Sequence, residues 1–123
     1  MPVSKGPILV VDDDPDVRGA IHDALADEGY RSTEAADGQD ALDYLRSNPT
    51  TPLVLLDWNM APMNGPQFMA ETAKDPSLSN IPVVLLTADA RAAQKSKNGF
   101  MDYLVKPVNL DALFAVIVRY CGS

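Results

Sequence analysis

The feature that most limits what this chain can become is a set of four short apolar runs, each ending against polar or charged residues. They are Ile8 to Val11, Leu53 to Leu56, Val83 to Leu86 and Tyr103 to Val105. Hydrophobicity is continuous in these runs rather than alternating, which predicts strands covered on both faces, as in a parallel sheet. A weaker run, Tyr30 to Ala35, alternates and suits an edge strand. Parallel neighbours require crossover connections, and helical patterns fill the intervals. Val17, Ile21, Ala24 and Leu25 share one helical face, as do Ala41, Leu42 and Leu45, and then Phe68, Met69 and Thr72. Leu110, Leu113, Phe114, Ile117 and Val118 form the strongest amphipathic pattern.

The punctuation agrees with this division. Asp14-Pro15 is a helix start, with the aspartate as N-cap and the proline in the first turn. Gly29 stands where a left-handed cap is needed, Asn64-Gly65-Pro66 opens a third helix, and Asn109 caps the last. Five strands alternating with five helices predict a doubly wound α/β domain. A chain of 123 residues fits one such domain, with Met1 to Pro7 as a loose leader.

Composition narrows the function. The net charge is −7, which gives no cationic face for nucleic acid or anionic lipid and favours metal cations and other proteins as partners. No apolar stretch approaches the roughly 20 residues of a membrane span, and the short run before Asp12 is not a secretory signal. With Cys121 as the one cysteine no internal disulfide can form, which suits a reducing, cytoplasmic setting.

In a doubly wound sheet, ligands bind beyond the carboxyl ends of the strands. The residues directly after the runs should therefore converge: Asp12 and Asp13, Asp57, Thr87 and Lys106. Three carboxylates held together repel unless a cation joins them, and Mg²⁺ suits a few carboxylates, several waters and a phosphate oxygen. Lys106 offers a mobile point charge and Thr87 a hydroxyl donor for phosphoryl oxygens. Asp57 is then equipped as a carboxylate nucleophile for phosphoryl transfer, which needs mostly positioning and charge neutralisation. Each residue alone also has an ordinary structural role, as turn former, strand end or solvated lysine. Their meeting on one edge is what argues for a site.

These residues resemble the receiver domain of two-component response regulators, from Ile8 to about Tyr120. The likeness rests on Ile8-Leu9-Val10-Val11-Asp12-Asp13-Asp14, on Leu53-Val54-Leu55-Leu56-Asp57-Trp58-Asn59-Met60, on Val83-Val84-Leu85-Leu86-Thr87-Ala88, and on Asp102-Tyr103-Leu104-Val105-Lys106-Pro107. The resemblance implies a flavodoxin-like sheet of strand order 2-1-3-4-5. It implies that a phosphohistidine, on a sensor histidine kinase or a histidine phosphotransfer protein, donates its phosphoryl group to Asp57. Asp13 would bind Mg²⁺ directly, Asp12 largely through water, and Asn59 through its backbone carbonyl, with Asp57 completing the metal set. Thr87 and Lys106 would contact the phosphoryl group, and Tyr103 would turn inward as Thr87 moves, altering a surface read by a downstream protein target. The resemblance further implies a cis Lys106–Pro107 bond and ties Asn59 and Asp89 to the lifetime of the phosphoryl group. It describes a signalling module that catalyses only its own phosphorylation and slow dephosphorylation, not an enzyme.

Departures fall beside the site. Ala61 stands where the family commonly has proline, which comes one later at Pro62, and Asn64 stands where it has aspartate. The stretch before Lys106 is shorter than usual, so Ala90 to Asn98 should make a short or irregular fourth helix, and Phe100 replaces a small residue. A phosphorylation-independent interaction module of the same fold is the main alternative, supported by that unusual region alone. An aspartyl phosphatase would need an acid where Asn59 stands, and a flavin mononucleotide site would bring phosphate against Asp12 to Asp14. His22 reads as a partly exposed helix residue away from the rim, Trp58 as a packing residue beside it, and Asp23, Asp27 and Glu28 as a solvated helix face.

Overall fold

The computed structural model describes residues 7–57, 65–88, 102–106 and 108–121. Five strands, β1 (Ile8–Val11), β2 (Ser32–Ala35), β3 (Val54–Asp57), β4 (Val83–Thr87) and β5 (Asp102–Val105), form one sheet of order β2-β1-β3-β4-β5. Every neighbouring pair is parallel. The described helices are α1 (Pro15–Asp27), α2 (Gly38–Ser47), α3 (Gly65–Ala73) and α4 (Leu110–Cys121). This is the doubly wound α/β architecture and strand order expected from the sequence. The helix expected over Ala90 to Asn98 lies outside the described residues.

Strand side chains alternate between two buried layers, which explains the unbroken apolar runs. Leu9, Val11, Val54, Leu56, Val83 and Leu85 point to one face and pack with Leu42, Leu45, Phe68 and Met69 of α2 and α3. Ile8, Val10, Leu53, Leu55, Val84 and Leu86 point to the other and pack with Ile21 and Leu25 of α1 and Leu113, Val116 and Ile117 of α4. The alternating run supplies the edge strand β2, which begins only at Ser32.

The caps behave as their residue types demand. The Asp14 side chain accepts from the Asp16 N–H at 2.9 Å, with Pro15 in the first turn of α1. Gly29 takes φ 85°, a left-handed conformation that costs glycine little. Asn109 Oδ1 accepts from the Ala112 N–H at 3.0 Å and so caps α4. The opening of α3 at Asn64 lies outside the described residues.

The last helix differs from its sequence pattern in one respect. Leu113 and Ile117 are buried as expected, but Leu110 and Val118 are exposed and Val116 is buried instead. Leu110 sits in the first turn, where it borders a surface groove rather than the sheet. Val118 follows Ile117 by one residue, about 100° around the helix and off the packed face.

Candidate functional site

The rim is built by strand ends. Asp57 and Thr87 are the final residues of β3 and β4, Asp12 follows β1 directly, and Lys106 follows β5. Asp12, Asp57 and Thr87 are buried, whereas Asp13 is exposed. Carboxylate oxygens of Asp12, Asp13 and Asp57 all lie within 4.8 Å of one another. Such a set of oxygens, with one open to solvent, fits a hard divalent cation that keeps part of its water shell. The spacing also explains the demand for positive charge there, since carboxylates this close repel one another.

Lys106 supplies that charge. Its Nζ donates to Asp12 Oδ2 at 2.9 Å and to Asp57 Oδ1 at 3.1 Å. Burial depresses the ammonium, but the bonds and charges of the two aspartates outweigh burial and hold its pKa above the ordinary lysine value. The Lys106 N–H donates to the Thr87 carbonyl at 2.7 Å, so the backbone of β4 fixes where the lysine leaves the sheet. Tyr103, in β5, is half-buried and packs against the layer beneath α2 and α3.

The structure thus brings together five of the residues singled out on the rim: Asp12, Asp13, Asp57, Thr87 and Lys106. Trp58, Asn59, Asp89 and the Lys106–Pro107 bond lie outside the described residues, as do Ala61, Pro62 and Phe100. His22 lies on α1, half-buried, and pairs through Nδ1 with the Ser32 hydroxyl rather than with the rim. Asp23, Asp27 and Glu28 are exposed.

Two features escaped sequence reasoning. Arg18 of α1 donates through Nη1 to the Asp12 carbonyl at 2.8 Å and through Nε to Glu34 Oε1 at 3.2 Å. Beside Lys106 opens a groove of about 470 Å³, lined by Val17, Ala20, Ile21, Val108 and Leu110. The exposed apolar start of α4 was a signal for the groove; an arginine in a helical pattern gave none for the brace.

Residues 8–118 match the family model of the response regulator receiver domain. The chain belongs to that family. The receiver is 39% identical over 113 residues to the chemotaxis protein CheY of Pseudomonas aeruginosa, covering 86% of this chain and 88% of that protein. It is 40% identical over 116 residues to the sensor histidine kinase RcsC of Salmonella typhi, spanning 92% of this chain but 12% of that much longer protein. Among solved structures it resembles the receiver domain of the sensor histidine kinase PA1611 from Pseudomonas aeruginosa, which holds a magnesium ion coordinated in its active site cleft. That match has a TM-score of 0.86 at 28% identity and covers 95% of this chain and 98% of the other. No helix among the receiver's described residues is long and apolar enough to cross a membrane.

Proposed function

We propose that this receiver accepts a phosphoryl group on Asp57 from a phosphohistidine of a sensor histidine kinase or a histidine phosphotransfer protein. The observation that carries the reading is Lys106 Nζ bridging Asp12 and Asp57 within a cluster of three carboxylates. A carboxylate oxygen of Asp57 forms the new bond to phosphorus as the phosphorus–nitrogen bond of the donor breaks and the imidazole departs. Burial keeps Asp57 poised in a fixed direction, and Lys106 balances the oxygens that gather around phosphorus. Thr87 donates its hydroxyl to one of those oxygens, and its movement, with that of Tyr103, alters the surface offered to a downstream protein target.

Asp13 and Asp57 would hold Mg²⁺ directly, with Asp12 contributing largely through water and Asn59 through its carbonyl. When bound, the ion neutralises phosphoryl charge and aligns the group for in-line transfer. Slow hydrolysis of the acyl phosphate then resets the domain, which acts as a cytoplasmic signalling module rather than as an enzyme on other substrates. The groove is our choice of place for the donor: Lys106, which bonds Asp57, forms part of its lining, so a helix carrying the phosphohistidine would seat its apolar side against Val17, Ile21 and Leu110 while its imidazole reaches the rim.

The test is incubation of the purified protein with Mg²⁺ and acetyl phosphate, read by mass spectrometry. One added phosphoryl group, labile to hydroxylamine and absent from Asp57→Asn, is the expected result. Equal labelling of the Asp57→Asn protein would refute the assignment.

A further inference from the structure

Asp12 is held at each of its polar atoms. Its N–H donates to the Ala35 carbonyl at 3.2 Å, tying it to the end of β2. Its Oδ1 accepts from the Asp14 N–H at 2.9 Å, and its Oδ2 accepts from Lys106 at 2.9 Å. The carbonyl is the remaining group. Strand β1 ends at Val11, so the Asp12 carbonyl has passed beyond the ladder that would otherwise have bonded it. Arg18 Nη1 takes that place at 2.8 Å.

The anchor on the other side is Glu34. Its register partner in the sheet is Val10, two residues before Asp12, and it accepts Arg18 Nε at 3.2 Å. The Arg18 side chain is 17% exposed and that of Glu34 38%, so the guanidinium is largely covered although its counter-ion reaches solvent. A planar, pre-organised fork can hold two acceptors at a fixed mutual angle, which an ammonium cannot do. One guanidinium therefore links α1, the loop after β1, and edge strand β2.

The carbonyl bonded by Arg18 belongs to the peptide unit that joins Asp12 to Asp13. Fixing that oxygen fixes the plane of the unit and with it the starting direction of Asp13. Asp13 is exposed and, unlike Asp12, has no lysine on its carboxylate among the described hydrogen bonds. Its position relative to Asp57 depends on the backbone beneath it.

We propose that Arg18 is a positioning residue for the cation site: by clamping the Asp12–Asp13 peptide against Glu34, it sets the Asp13 carboxylate where an ion shared with Asp57 can be bound. The inference rests on the reading of the acid cluster as a Mg²⁺ site. It differs from a general stabilising role because it assigns the effect to one peptide and one ligand. Residues that orient metal ligands without touching the metal commonly govern metal affinity by about 10-fold to 100-fold.

The experiment compares wild type with Arg18→Ala, Arg18→Lys and Glu34→Gln by two measurements. Mg²⁺ titrations followed by backbone amide NMR give the affinity of the folded protein. Amide hydrogen exchange without metal ion reports order at Asp13 and Asp14. Arg18→Ala should weaken Mg²⁺ binding about 10-fold or more and speed exchange at these two amides selectively. Arg18→Lys should recover part of the affinity, since one of the two acceptors can still be reached, and Glu34→Gln should fall nearer wild type. Urea unfolding locates conditions in which each variant is folded, so that lost stability is not mistaken for lost affinity. Unchanged Mg²⁺ affinity in Arg18→Ala, with a lower unfolding midpoint only, would overturn the proposal. Failure of the wild type itself to bind Mg²⁺ would refute the metal reading instead, and selective loosening of Asp13 and Asp14 without metal would then decide the role of Arg18.

Discussion

The ammonium of Lys106 stands 2.9 Å from a carboxylate oxygen of Asp12, although 94 positions separate the two residues in the chain. The same ammonium reaches Asp57 at 3.1 Å, so one cation is shared by two members of the acid cluster. Both acids are nearly closed to water at their side chains, 1% and 8% exposed, while the lysine is 25% exposed. The lysine thus offsets a repulsion that folding itself creates.

That balance has a signature in alkali. The Lys106 pKa is raised in the folded state by Asp12 and Asp57 against the opposing effect of burial. Its contribution to stability is therefore present in full below the unfolded lysine value, about 10.4, and is lost as pH climbs through the higher folded value. Urea midpoints of wild type and Lys106→Met should converge across that alkaline range. Near neutral pH without metal ion the variant should be less stable by about 2 kcal/mol, a discounted value because the lysine is partly solvated. A difference that stays constant through the alkaline range would rule out this account.

Removing an acid should act in the opposite sense. Asp13→Asn relieves part of the carboxylate crowding without opening the core, because Asp13 is exposed. The metal-free protein should gain about 1 kcal/mol, as frustrated functional sites often do when a charge is deleted. The wild type should gain about 2.7 kcal/mol from Mg²⁺ at 100 times its dissociation constant, and the variant almost none. Thermal unfolding with and without Mg²⁺ measures both effects.

Donor recognition and chemistry should separate. Leu110 is 51% exposed at the start of α4 and borders the groove beside Lys106. Leu110→Asp places a negative charge in a first helical turn, where the helix tolerates it, and makes the groove wall polar. Phosphotransfer from a protein donor should slow about 10-fold, the effect of roughly 1.4 kcal/mol of lost contact. Acetyl phosphate, which needs no docking surface, should label wild type and variant at equal rates. Equal slowing with both donors would remove the groove from donor recognition.

Core substitution should give the converse pattern. Phe68 of α3 is fully buried in the layer that includes Leu9, Leu56 and Leu85. Phe68→Ala should cost about 3–5 kcal/mol, through lost burial and a cavity that the sheet cannot close. Isothermal titration with Mg²⁺ at a temperature where the variant remains folded should still give an affinity close to wild type.

The sequence made the rim legible because each member directly follows or ends an apolar run. Topology alone brings such positions to one edge, so Asp12, Asp57, Thr87 and Lys106 needed no knowledge of side-chain geometry. The two-layer core was legible for the same reason, through Leu9 and Val10, Leu55 and Leu56. Arg18 was not, because its partners are a backbone carbonyl and a residue of another element. Nothing in residue type distinguishes such a covered arginine from a solvated one. Leu110 and Val118 were misplaced, and Val116 was passed over, because helical periodicity says which residues share a face, not where the sheet beneath that face ends.

The strand order has a consequence for the life of the chain. The pocket draws on β1, β3, β4 and β5, so its first and last members, Asp12 and Lys106, meet only when almost the whole chain has found its place. Contacts of such long sequence separation form late, after most loop-closure entropy has been lost. A nascent or locally unravelled molecule carries Asp57 without its lysine. With Asp57 as the proposed acceptor, only completed copies of the protein are equipped to take up the mark, and incomplete ones stay blank.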